Sequence, residues 1–113
     1  MKHSEIRDAV RAFFMRGIEN ARAQRAALGP LSVEKVTDYT AEADRYDEAL
    51  RSGQHWDPAK QVAELASLIS RLNLPIKPGT PDYEVLRVEH MRGWRDVARA
   101  VVAESKQLEV IDC

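Results

Sequence analysis

The chain has 113 residues, of which 44% are apolar and 31% charged, and its formal net charge is −1 with an isoelectric point near 6.3. A length of this order suits one folding unit and leaves no room for a second substantial core. The near-neutral balance lacks the basic excess of a free-standing DNA-binding domain, and only 5 Gly and 5 Pro in a chain rich in Ala, Glu and Arg favour ordered helix over disorder.

The first helix is expected over residues 5–28, after Ser4 as N-cap, with Ile6, Val10, Phe13, Phe14, Ile18 and Ala21 at helical spacing and Gly29-Pro30 as its stop. Gly17 costs that helix about 1 kcal/mol relative to Ala and marks a place where another helix comes close. The second helix, 32–52, is capped by Ser32 and presents Val33, Val36, Tyr39, Thr40, Ala43, Tyr46 and Leu50; its other face is acidic, with Glu34, Asp38, Glu42, Asp44 and Glu48. Asp57-Pro58 opens the third helix, 58–73, a cap followed by a first-turn proline, with Val62, Leu65, Ala66, Ile69 and Leu72 facing inward.

Leu74-Pro75-Ile76-Lys77-Pro78-Gly79 reads as an extended connector, because each proline fixes its own φ and turns the preceding residue away from helix. Its apolar residues are expected to tuck against the bundle. Thr80-Pro81-Asp82-Tyr83 then starts the longest helix, 81–106: Thr80 caps, Pro81 suits the first helical position and Asp82 places negative charge where the helix dipole favours it. Tyr83, Leu86, Met91, Trp94, Val97, Ala98 and Val101 form its apolar face. The fold class that follows is all-α, a four-helix bundle-like domain with a long C-terminal helix.

No apolar run reaches the ~20 residues needed to cross a bilayer. The N-terminal stretch is interrupted by arginines where a signal peptide needs an unbroken apolar centre, so a cytoplasmic protein without membrane association is expected. The single cysteine, Cys113, excludes an internal disulfide and a zinc site built on several thiolates. His3, His55 and His90 have no three- or four-residue spacing that would aim two imidazoles at one metal, so neither metal nor cofactor is expected. Glu89 and His90 are adjacent on one helix and point about 100° apart, which keeps them from acting together as an acid-base pair. Ser4, Ser32 and Thr80 are accounted for as caps, and the isolated glycines make no phosphate-cradling loop. No enzymatic constellation emerges. The aromatic residues are too dispersed for a base-stacking platform, and His55-Trp56 reads as a packed or stacked turn.

Charge is unevenly distributed: residues 1–28 hold six Lys/Arg against three acids, and residues 31–53 hold three against six. Pairing of the first two helices side by side would balance it. Arg92, Arg95 and Arg99 form a stripe along the fourth helix with Lys106 two turns on, and Arg7 and Arg11 belong to a second basic set on the first. Guanidinium groups in such a row are candidates for DNA-backbone or partner contact. Neutralisation of the stripe by Glu89, Asp96 and Glu104 is the competing reading.

Two stretches in the right order, Ser4-Glu5-Ile6-Arg7-Asp8-Ala9-Val10-Arg11-Ala12-Phe13-Phe14 with its Leu28-Gly29-Pro30-Leu31-Ser32 break, and Leu74-Pro75-Ile76-Lys77-Pro78-Gly79-Thr80-Pro81-Asp82-Tyr83, resemble the accessory helical region ahead of the core-binding domain in phage-type tyrosine recombinases, or integrases. The resemblance covers roughly residues 4–103. It implies a non-catalytic module contributing to DNA recombination through protein packing and DNA-backbone contact. The family's catalytic groups belong to a separate C-terminal domain; His90-Met91-Arg92-Gly93 does not supply its His-x-x-Arg box, and no catalytic residue carries over. Expected partners are the remainder of an integrase, a second copy as a homodimer, or a host complex. The alternative from another class is a small phage- or prophage-encoded protein that inhibits a host defence complex by stoichiometric binding, its acidic second helix mimicking nucleic-acid charge.

Overall fold

Four helices, α1 (His3–Leu28), α2 (Val33–Ser52), α3 (Pro58–Leu72) and α4 (Pro81–Ile111), make up a computed structural model that describes the backbone of residues 1–111 and the side chains of residues 1–106. Cys113 lies outside the described residues. The fold is all-α and bundle-like, 51 × 25 × 20 Å, with a long C-terminal helix. Three of the starts follow from their caps: Ser32 Oγ accepts the N–H of Lys35 at 3.2 Å, Asp57 Oδ1 that of Lys60 at 3.2 Å, and Thr80 Oγ1 that of Tyr83 at 3.3 Å. The first start differs from expectation. α1 begins two residues early, the Lys2 carbonyl accepts the N–H groups of Glu5 and Ile6, and Ser4 sits inside the helix without capping it. At the other end of the chain α4 runs on to Ile111, past the expected stop at Lys106.

The spine of the fold is α4. Both α1 and α2 pack on it, and α3 joins through a smaller contact. The expected side-by-side pairing of basic α1 with acidic α2 is therefore corrected: their charges meet partners on α4, which carries both signs. A helix enclosed on several sides buries residues all round, and α4 does so in its middle, where Leu86, Glu89, His90, Met91 and Gly93 are all buried.

The core has two parts. In the larger, Ile6, Val10 and Phe14 of α1 meet Leu65 and Leu68 of α3, Leu86 of α4, and Leu74 and Ile76 of the connector, which tucks in as its prolines predict. In the smaller, Tyr46 and Ala49 of α2 pack on Met91. The inward face of α3 is rotated from the expected one. Gln61, Leu65 and Leu68 are buried, whereas Val62 is 60% exposed and Ala66 is also exposed. The polar residue at the head of that stripe is accommodated because Gln61 Nε2 donates to the Arg87 carbonyl at 3.2 Å. Val33, placed on the inner face of α2 by spacing, is 80% exposed, because it lies in the first turn of the helix, before the residues that reach α4. Far along α4, the buried Ser105 hydroxyl accepts the Leu31 N–H at 3.3 Å and ties down the link between α1 and α2.

Close approach of two helices occurs at Gly93, not at Gly17. A Cβ on Gly93 would stand 2.1 Å from the buried Phe14 ring, while one on Gly17 would meet Val97 at an ordinary 3.9 Å. We predict that Gly93→Ala destabilises the protein by about 2 kcal/mol, overpacking outweighing the helix-propensity gain, and lowers the melting temperature by roughly 10 °C. Gly17→Ala should leave it unchanged or raise it by up to about 1 kcal/mol. Thermal melts followed by circular dichroism check both, and equal melting of wild type and Gly93→Ala would contradict the packing described.

Candidate functional site

The fold sorts the basic residues into two groups. Arg95 Nη1 donates to Asp47 Oδ1 at 3.2 Å and its Nε to Asp96 Oδ1 at 3.1 Å, while Arg99 bonds Asp47 Oδ2 and lies 3.8 Å from Asp44. Burial acts to raise the Asp47 pKa, but the hydrogen bonds from Arg95 and Arg99 outweigh it and hold the carboxyl below its usual range. Half of the expected stripe is thus an α2–α4 clamp. Lys106 is exposed, about 21 Å along the helix from Arg92, and takes no part in it.

The remaining candidates converge. Glu89, only 3% exposed on α4, is approached by Arg7 at 3.8 Å and Arg11 at 3.4 Å from α1 and by Arg92 at 3.1 Å from its own helix. The i, i+4 spacing of Arg7 and Arg11 puts them one turn apart on one face, so that α1 packed on α4 brings both to the same carboxylate. Three guanidinium groups share one negative charge, an excess of two. Each arginine is about half exposed. Beside them a cavity of about 350 Å³ opens between α1 and α4, lined by Arg11, Arg92 and Arg95, by the carboxylates of Glu89 and Asp96, and by Met15 among others. Removing every arginine would strand a buried carboxylate, at a cost of roughly 3–5 kcal/mol; removing one or two leaves it paired.

Glu89 and His90 diverge as adjacent helical residues must, but His90 finds another carboxylate that the sequence did not suggest. Its Nε2 lies 2.8 Å from Glu64 Oε2 on α3 and accepts the Trp94 indole N–H at 3.0 Å. The Nδ1 atom is buried without a partner. The Glu64 and His90 side chains both line a cleft between α1, α3 and α4. Burial, with His55 and Lys60 nearby, lowers the His90 pKa to about 4.

His55 stacks on Trp56 with ring centroids 5.5 Å apart, and its Nδ1 accepts the Asp57 N–H at 2.8 Å. Burial lowers its pKa as well. Arg45 and Lys60 sit over the Trp56 ring. Among the described residues, no group of three or more His, Cys, Asp or Glu side chains is placed to hold a metal, and no helix is long and apolar enough to cross a membrane.

Sequence reasoning named all three arginines of the cluster but not their convergence, and it missed Asp47 and Glu64 as partners. Helical spacing carries information on contacts within a helix, and these contacts join different ones. Compared with protein families, curated proteins and solved structures, the chain matches none.

A buried neutral histidine makes stability depend on pH. With a folded pKa near 4 against about 6.5 unfolded, stability is fully present above pH 6.5 and is lost as pH falls toward 4, where the unfolded chain takes up a proton that the folded one refuses. From pH 7 to pH 5 the His90 share is about 2 kcal/mol. Urea unfolding at the two pH values should show that loss in the wild type and a shallower dependence in His90→Gln. An identical dependence in both would contradict it.

Proposed function

We propose that this chain is a non-catalytic helical module of the kind that accompanies phage-type integrases, contributing to DNA recombination by packing against protein and by touching the DNA backbone through Arg7, Arg11 and Arg92. The convergence of three half-exposed guanidinium groups on the single buried carboxylate of Glu89 carries the reading. A cluster with an excess of about two charges, held in place by its own counter-ion, suits phosphate oxygens, which arginine binds through its planar fork. Arg95 and Arg99 contribute little, because Asp47 and its neighbours already neutralise them. The overall charge of −1 confines contact to this patch and makes it weak. Resemblance of residues 4–103 to the integrase accessory region supplies the biological setting.

Fluorescence anisotropy with a labelled duplex tests the DNA part. Release of counter-ions by about two charges predicts a roughly tenfold loss of affinity between 50 and 200 mM salt. Arg7→Gln/Arg11→Gln, which leaves Arg92 on Glu89, should abolish most of that dependence, whereas Arg95→Gln/Arg99→Gln should not. Asp47→Asn, by loosening two guanidinium groups, should steepen it. Absence of salt-sensitive binding in the wild type would remove DNA contact from the proposal and leave protein packing.

A further inference from the structure

A second cleft of about 200 Å³ opens between α1, α3 and α4, apart from the arginine cluster. Its lining is aromatic on one side. The Phe13 ring meets Phe14 at 86° with centroids 5.2 Å apart, and the Trp94 ring meets Phe14 at 72° and 5.6 Å. Two rings standing close to upright on a third make a trough, and Trp94 remains 37% exposed along it.

The opposite side is α3, which presents Glu64, Ser67, Leu68 and Arg71. Glu64 and Arg71 are seven residues apart, two full turns, so they share a face and stand about 10 Å apart along the axis. One end of the trough is thereby anionic and the other cationic; Leu68 and the Ser67 hydroxyl lie between them, and His90 lines the same cleft beside Glu64. The Glu64 carboxylate is 28% exposed; its neighbours are Lys60, loosely at 3.9 Å, and His90 at 2.8 Å. Arg71 is exposed.

We propose that this trough binds an elongated zwitterion, an ammonium group and a carboxylate separated by a methylene chain. The ammonium sits at the Glu64 end, where the carboxylate attracts it. The methylenes cover the rings, and the carboxylate takes the Arg71 fork. Two sources share this chemistry, a free ω-amino acid and a polypeptide that ends in lysine, whose side chain and terminal carboxylate carry the same two charges. A ligand with one charge engages only one of Glu64 and Arg71.

Trp94 fluorescence in a Trp56→Phe background reports on the trough alone, since the chain has two tryptophans. Titration with 6-aminohexanoate should give saturable binding with a dissociation constant on the order of millimolar, as suits a ligand of so few atoms. Hexylamine and hexanoate, each with one of the charges, should bind about tenfold more weakly. Arg71→Gln should reduce affinity for 6-aminohexanoate toward that of hexylamine while leaving hexylamine unaffected, and Glu64→Gln should do the reverse with hexanoate. If Glu64→Gln proves unfolded by circular dichroism, the Arg71 variant and the two analogues carry the test. A heptapeptide ending in lysine, with free or amidated carboxyl, separates the sources: tighter binding of the free form than of 6-aminohexanoate indicates a polypeptide end, weaker binding indicates the small molecule, and either supports the site. No saturable change up to 50 mM, or equal affinity for all three small ligands, would overturn it.

Discussion

Phe14 lies directly on the backbone of α4 where Gly93 has no side chain, and most of the architecture depends on that contact. It sets how closely α1 approaches α4. It also fixes the ring on which Phe13, His90 and Trp94 lean at steep angles. From the same approach follow the burial of Ile6 and Val10 and the arrival at Glu89 of Arg11 and Arg7, about one and two turns toward the N-terminus of α1. A bulkier residue at 93 would push the helices apart and spread the arginines. Their excess charge is thus a product of packing as much as of composition.

The electrostatics are organised around single carboxylates that each serve several cations. Glu89 takes three arginines and Asp47 takes two, but the outcomes differ. Asp47 is partly exposed, and with Asp44 and Asp96 it cancels the two guanidinium groups it holds, so that pairing clamps α2 to α4. Glu89 is buried and outnumbered, so the positive ends project outward. Exposed pairs contribute only ~0 to 1 kcal/mol each, and the Asp47 clamp therefore aligns α2 more than it stabilises it. Hydrophobic contact of Tyr46 and Ala49 with Met91 supplies the larger share.

Local grammar was readable in the sequence, and long-range geometry was not. Ser32, Asp57 and Thr80 cap where they were expected to, because a cap is decided within four residues. Ser4 has the same chemistry, yet the helix runs through it to His3, with Lys2 at the cap position. On α3, apolar spacing chose Val62 and Ala66 over Gln61 and Leu68. The true face is set by where α1 and α4 lie, and a buried glutamine with a carbonyl partner is invisible to a hydrophobic pattern. The candidate arginines were legible as residues. The Arg92–Glu89 and Arg95–Asp96 pairings within α4 were legible too, whereas the arrival of Arg7 and Arg11 at Glu89 and the Asp47 clamp were not, because tertiary packing assigns them. Gly93 was overlooked for the same reason: a glycine within a helix announces a close approach only once the ring that fills it is known.

Because the last helix is the one on which the others rest, synthesis from the N-terminus imposes an order of events. Ile6, Val10 and Phe14 leave the ribosome some eighty residues before Leu86 and Gly93, and at ordinary elongation rates of 5–20 residues per second that interval lasts about 4 to 16 s. For most of it the apolar side of α1 has no core partner, since Leu65 and Leu68 of α3 follow Ile6 by about sixty residues. Any chaperone or neighbouring chain that meets the nascent protein meets it in that window.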